Sequence, residues 1–454
     1  MSDALRAPLR ARPWLPALVG LSAGLSVVVH PLAGVALGAV ALGAWVGVAR
    51  PDALVAGMFL AMLFDRMGAM SSEVAGLPLT LSKLAVAGSL ALWGVHVVVT
   101  RRSPLRWHPV LTALVGMVAA AGFGVLTVGT LHEARFTLYG LGMVTALTAL
   151  VYTILSDRDP GPLYRLLSAA LCASIVLSVV GPMGAQKAGR ATGTMGDPNE
   201  WGTVLLLLGP TLLGGLAHDP HRLARPLRLG LMTLVPVAVL ASGSRTALVV
   251  GLLVGVASVF MLRRQKGELL ACASGGVLGL VVLGGIGGLS ATSRRLERLW
   301  ASLNGTAVIH DDSLRERSEL LAQAWDLFLE NWLLGVGPGR FEVASGFVSI
   351  TGRLRPAHNT YLEVASEQGL VGLAAGAVLF ATVGFTLWSG LRSAADPART
   401  ARVTGVAIGL GAFALMAATL GLLTFSMAYL VLGLGLAVAH PRTPHAAPGD
   451  PHGR

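Results

Sequence analysis

Three kinds of side chain in this sequence can carry chemistry unaided: a histidine at 358, arginines at 245 and 317, and carboxylates at 363 and 367. An imidazole with an unperturbed pKa of about 6.5 takes up and releases protons near neutrality. His358, in Ala357-His358-Asn359-Thr360-Tyr361-Leu362-Glu363, therefore reads either as a general base or as a structural histidine. Pro356 can open a helix, which would put His358 in its first turn. Glu363 and Glu367 lie one turn apart and could orient His358, pair with Arg317 or face water.

The arginines separate by position. Residues 313–332 have the spacing of an amphipathic helix capped by Asp312 or Ser313. Arg317, Leu321, Trp325, Phe328 and Trp332 share one stripe, and Arg315, Glu319, Gln323, Asp326 and Glu330 share the other. Arg315 then forms an i,i+4 ion pair with Glu319. Arg317, on the apolar stripe, needs a partner because an unpaired guanidinium is costly there, and an anionic ligand group would serve. Ser242-Gly243-Ser244-Arg245-Thr246 is a short polar break that should bury Arg245 near a span boundary, where a phosphate matches its bidentate fork. The Gly-rich stretch 189–200 contains Arg190 and Asn199 and is either a helix cap through Asp197 or Asn199 or a substrate-facing loop. Gly335-Val336-Gly337-Pro338-Gly339-Arg340-Phe341 has only a superficial likeness to a phosphate-binding loop. No strand precedes it and the GxGxxG order is missing, so a tight turn at the membrane surface is the plainer reading.

The elements that must hold these residues are membrane spans. Hydrophobic residues make up 54% of the 454, charged residues 13%, and mean hydropathy is +0.70. A soluble domain carries about 25% charged residues, so a polytopic all-α bundle is expected. The net charge of +11 sits in short loops, which excludes a nucleic-acid footprint. Cys172 and Cys272 lie in apolar runs and form no disulfide framework or metal pair. The tail histidines His440, His445 and His452 do not make a metal site, and no cofactor is expected. Met1 to Pro13 could pass for the head of a signal peptide, but equally apolar runs follow, so the first span is read as retained.

Apolar runs mark spans near 14–29, 32–48, 53–68, 79–99, 109–130, 136–155, 163–182, 201–217, 229–241, 246–262, 269–289, 369–391, 402–421 and 423–439. That is fourteen, or twelve if short ones do not cross. With the N-terminus inside, nineteen Lys and Arg fall in cytoplasmic loops and five in the opposite short loops, as the positive-inside rule requires. The chain then reads as a basic cytoplasmic N-terminus (1–13), a bundle of about eleven spans (14–289), an extracytoplasmic segment (290–368), three more spans (369–439) and a cytoplasmic tail (440–454). Arg294, Arg295 and Arg298 begin the long segment as interfacial anchors or headgroup contacts.

Taken in order, Arg-Thr at 245–246, Arg317 heading a helix, Asn-Trp-Leu-Leu-Gly-Val-Gly-Pro-Gly-Arg-Phe at 331–341 and His-Asn-Thr-Tyr-Leu-Glu-Val-Ala-Ser-Glu-Gln-Gly-Leu-Val-Gly-Leu at 358–373 resemble the O-antigen ligase and Wzy-type polymerase superfamily. Thr-Gly-Thr-Met-Gly-Asp-Pro-Asn at 192–199 is similar to an upstream element of that family. The resemblance implies a GT-C-like membrane glycosyltransferase of the bacterial inner membrane. It would move a glycan en bloc from undecaprenyl diphosphate to an acceptor hydroxyl, without metal, at the periplasmic face. The acceptor would be a lipid A–core sugar for a ligase or another carrier-linked repeat for a polymerase, with membrane lipid and other polysaccharide-assembly proteins as partners. By the same resemblance Arg245 and Arg317 would stabilise the leaving diphosphate and His358 would take the acceptor proton. Arg315, Arg340, Asn359, Tyr361, Glu363, Asn199 and Arg190 would bind or position substrate. A flippase is the competing reading from another class, but it would want charges at mid-membrane depth and most spans contain none. A structural assembly protein would leave Arg317 and His358 unexplained.

Overall fold

The computed structural model describes residues 50–64, 72–74, 77–79, 81–100, 105–128, 131–180, 186–187, 190–261, 312–348 and 354–440. The spans expected at 14–29, 32–48 and 269–289, together with Cys272, Arg294, Arg295, Arg298 and the tail from 441, lie outside the described residues.

Eleven helices coincide with the remaining expected spans. They are α1 (Pro51–Leu63), α2 (Leu81–Thr100), α3 (Pro109–Val128), α4 (Leu131–Leu155), α5 (Gly161–Val180), α6 (Pro198–Leu216), α7 (Ala224–Ser242), α8 (Arg245–Met261), α11 (Thr360–Arg392), α12 (Pro397–Ala417) and α13 (Ser426–Ala439). Between them lie α9 (Asp312–Glu330) and the short α10 (Phe341–Ser345). Two antiparallel ribbons, β1 (Ser72–Val74) with β2 (Leu77–Leu79) and β3 (Gln186–Lys187) with β4 (Arg190–Ala191), are the strands among the described residues. Six helices (α3, α4, α5, α7, α11 and α12) are long and apolar enough to cross a membrane. The protein is an all-α polytopic membrane protein.

The chain divides into two units, residues 1–61 with 71–104 and residues 62–70 with 105–454. The second carries all the residues of interest. Its centre is α6 and α13, each buried along nearly its whole length. Helix α12 closes on α6 through glycines. A Cβ on Gly405 would stand 2.4 Å from the Pro210 carbonyl oxygen, and one on Gly409 2.4 Å from that of Leu207. Apolar side chains gain little over lipid tails inside a bilayer, so small residues that let backbones meet provide the packing instead.

Helix α11 is broken at Gly369 (φ 59, ψ −152). Breaking a helix frees backbone groups that must find partners. The segment after α9 supplies them. Val336 N donates to the Ser366 carbonyl (2.8 Å), Gly337 N to that of Glu367 (2.9 Å), and Leu370 N to that of Trp332 (2.8 Å). The motifs at 331–341 and 358–373 are thus the two halves of one clasp.

Helix α9 packs inward beside its expected apolar stripe, not through it. Its packed face is Leu320 and Ala324, which form a core cluster with Phe341 and Ala357 and draw in Leu327 and Leu362. Trp325 and Trp332, on the stripe expected to face protein or lipid, are 49% and 55% exposed. The helix has two apolar sectors, and the small Ala324 is the residue that lets the backbone near Ala357 come close.

Candidate functional site

The site is assembled from the heads of α6 and α11 and the first turns of α9. At α11, Asn359 rather than Pro356 starts the helix. Its side-chain oxygen accepts from Tyr361 N (3.0 Å) and Leu362 N (3.2 Å), satisfying two of the amides that a helix start leaves open. His358 consequently lies ahead of the helix, not in its first turn. It has a left-handed backbone (φ 52), the one non-glycine residue with positive φ among the described residues. Such backbone strain in a bulky residue persists only when its surroundings enforce it.

The surroundings do so. Thr360 N and Oγ1 both donate to the Leu420 carbonyl (3.1 and 2.7 Å), and Leu422 N donates to Thr360 Oγ1 (2.8 Å). The Tyr361 hydroxyl donates to the Ala414 carbonyl of α12 (2.7 Å). Asn359, Thr360 and Tyr361 therefore fasten the head of α11. Asn359→Ala should lower stability by about 1 kcal/mol, and Asn359→Asp, which keeps an acceptor oxygen, by less. Thermal unfolding of the two purified variants checks this, and equal losses would remove the cap from the account.

His358 is partly buried, and its electrostatic neighbours come from three elements. Burial depresses its pKa first, followed by the guanidiniums of Arg317 and Arg355, while Glu316 and Asp197 oppose them. Its pKa is accordingly held below the ordinary value, which favours the neutral ring. Arg355 Nε is 3.2 Å from Glu316 Oε1. This pairing follows from the packing: Glu316 is one turn before Leu320, Arg355 is two residues before Ala357, and Leu320 and Ala357 belong to one cluster. Asp197 caps α6, accepting from Asn199 N (2.8 Å) and Glu200 N (3.4 Å). Charges on Arg317, Arg355, Glu316 and Asp197 thus act on His358. The sequence pattern identified Arg317 and His358 but missed Arg355 and Glu316 and gave Asp197 only a capping role. The Arg353-Leu354-Arg355-Pro356 run was the available signal for Arg355.

The other expected residues are spread more widely. Arg245 heads α8 and is exposed rather than buried. The chain reverses at Gly243 (φ 57), and it is Ser242 and Ser244 that turn inward, against α6 at Gly202. That contact is one turn from Asn199, so the 242–245 turn and the capped head of α6 are neighbours. Arg190 falls in β4. Arg315 is ion-paired to Glu319 (2.9 Å) with its side chain 83% exposed. Arg340 Nη1 donates to the Val336 carbonyl (3.3 Å), within the loop itself. Glu363 faces the loop between α12 and α13, where a Cβ on Gly421 would stand 2.9 Å from Glu363 Oε2.

The glycine loop binds a side-chain carboxyl group, not a phosphate. Gly339 N (2.8 Å) and Phe341 N (3.1 Å) both donate to the carboxylate of Glu367. The loop amides are taken by the protein's own side chain. An apolar groove of about 490 Å³ between α3 and α11, lined by Trp107, Thr112, Ala375 and Thr382, lies well down α11 from His358 and contributes nothing to the site.

The described helices form a membrane bundle, and charges from α6, α9 and the 354–357 segment act on His358. Residues 229–377 match the family model described as O-antigen ligase, and this match bears out the resemblance in the motifs. The matched stretch runs from within α7 to within α11 and includes Arg245, Arg317, Arg355 and His358. Members of the family are membrane glycosyltransferase-like enzymes. No curated protein matches the sequence.

Proposed function

We propose that the protein transfers a glycan en bloc from an undecaprenyl-diphosphate carrier to an acceptor hydroxyl at the extracytoplasmic face of the inner membrane, as a ligase acting on a lipid A–core sugar or similar acceptor. The observation that carries this reading is the convergence of His358, Arg317 and Arg355. Neutral His358 takes the proton of the acceptor hydroxyl as its oxygen attacks the anomeric carbon. The bond from that carbon to the diphosphate breaks on the opposite side, inverting the centre. Arg317 and Arg355 stabilise the charge that develops on the leaving diphosphate, and fixed charges of this kind need no reorganisation during the reaction. Arg245, beside the head of α6, adds a further guanidinium for the carrier phosphates. The diphosphate competes with the Glu316 carboxylate for Arg355.

Arg317→Ala is expected to cut transfer by at least about 10²-fold with the protein still inserted in membranes, assayed by glycan attachment in a deletion strain. Undiminished attachment would remove Arg317 from the mechanism. The same strain distinguishes the activity from repeat polymerisation, because long chains left on the carrier mean ligase and single repeats mean polymerase.

A further inference from the structure

Around α9 there are three sectors. One packs inward through Leu320 and Ala324, one is polar through Arg315, Glu319, Asp326 and Glu330, and one is apolar but not packed, comprising Leu321, Trp325, Phe328, Leu329 and Trp332. Trp325, Leu329 and Trp332 are each about half exposed, and the Trp325 and Phe328 rings touch at 5.5 Å between centroids. We propose that this third sector rests on the bilayer, making α9 an interfacial helix that lies in the membrane plane.

Two ties support that orientation. At the far end, the Trp332 carbonyl accepts from Leu370 N, immediately after the Gly369 break. From Gly369 to Arg392 the helix covers about 35 Å at 1.5 Å per residue, slightly more than the roughly 30 Å hydrocarbon core. Leu370 therefore stands at one membrane boundary, and Trp332 stands there with it. Nearer the start of α9, Leu320 and Ala324 pack on Ala357, three residues from Thr360. Thr360 is bonded to Leu420, just past the end of α12. Helix α12 covers about 31 Å by the same rise, so Leu420 stands at a boundary too. It is the same boundary, because α11 and α12 run antiparallel with Tyr361 bonded to Ala414. Both ties hold α9 at one level, so it cannot project away from the membrane. Trp332, at the end of the exposed aromatic sector, is bonded to Leu370, the first of the exposed apolar residues of α11. Amphipathic helices with Trp and Phe on one side and charges on the other bind this way, and indoles favour the headgroup boundary.

The surface matters because α9 also carries Glu316 and Arg317. A helix seated on lipid would hold both at the level where a lipid headgroup's phosphates lie. Contact with lipid, however, is measurable without any glycan transfer, so this inference fails or survives independently of the proposed function.

The test uses the full chain with Cys172 and Cys272 replaced by Ser, reconstituted in vesicles of phosphatidylethanolamine and phosphatidylglycerol. A nitroxide is placed in turn at Trp325→Cys, Leu329→Cys, Glu319→Cys and Asp326→Cys. Labels at 325 and 329 should collide with oxygen severalfold more than with a water-soluble nickel chelate, and labels at 319 and 326 should show the reverse. Nickel contact at 325 and 329 equal to that at 319 would overturn the proposal. Shielding of 325 and 329 from both reagents would also overturn it, by assigning the sector to a protein, including a second copy of this chain. Leu329→Cys carries the test by itself should Trp325→Cys not fold.

Discussion

Replacing His358 with alanine is expected to lower glycan transfer by about 10² to 10⁴-fold, the usual contribution of a positioned general base, while leaving the protein inserted and folded. Folding should survive because the bonds that fix the head of α11 belong to Asn359, Thr360 and Tyr361, not to the imidazole. The pH profile gives a sharper test. Burial, Arg317 and Arg355 hold the imidazole below its ordinary pKa, and the neutral ring is the active form. Activity should thus be flat through pH 7 and fall only as pH drops through a value below about 6.5. Arg355→Ala removes one of the charges that depress this pKa, so its residual activity should decline at a higher pH than in the wild type. A His358→Ala enzyme with wild-type activity, or an acid limb unmoved by Arg355→Ala, would rule out His358 as the base.

The second large effect concerns a residue with no chemistry at all. Gly369→Ala should prevent stable folding. At φ 59 and ψ −152 the backbone occupies a region open essentially only to glycine. An added Cβ would also lie 2.4 Å from the Leu333 carbonyl carbon and 2.5 Å from its oxygen. Neither can move freely, because Leu333 O accepts from Val371 N across the same clasp (3.3 Å). The strain alone is of order 1–3 kcal/mol, and relieving the clash means parting the clasp. Loss of the monodisperse protein in detergent, or a collapse of its melting temperature, is the expected readout. Gly384→Ala is the control: it lies on the same helix with open space around its Cβ position and should behave as the wild type.

The spans were legible because hydropathy is a local property, and each described helix in the bundle lies where an apolar run does. The residue types of the site were legible for a related reason, since a histidine and an arginine at the end of a polar segment are unusual in so apolar a chain. What could not be read was partnership. Arg355 and Glu316 are 39 positions apart and meet only because Leu320 and Ala324 pack on Ala357. Periodicity found the stripe of large apolar residues on α9 but not its packed face, which uses a leucine and an alanine. The Arg245 turn was misread in the same way. A short loop suggested burial, but a left-handed glycine turned the serines inward instead. At the head of α11, proline chemistry and asparagine capping competed three residues apart, and the cap prevailed because it satisfies two amides at once.

The bond from Thr360 to Leu420 also has a bearing on modularity. The recognisable family stretch stops at 377, yet the histidine it contains is steadied from beyond that limit, by the turn joining the last two helices. The segment that identifies the protein and the segment that could work as an independent unit are therefore different lengths of chain. A fragment trimmed to residues 229–377 would keep every proposed catalytic side chain and lose the fastening that holds one of them in a left-handed backbone. The last two helices, which contribute no reacting group, act as the far jaw of a vice.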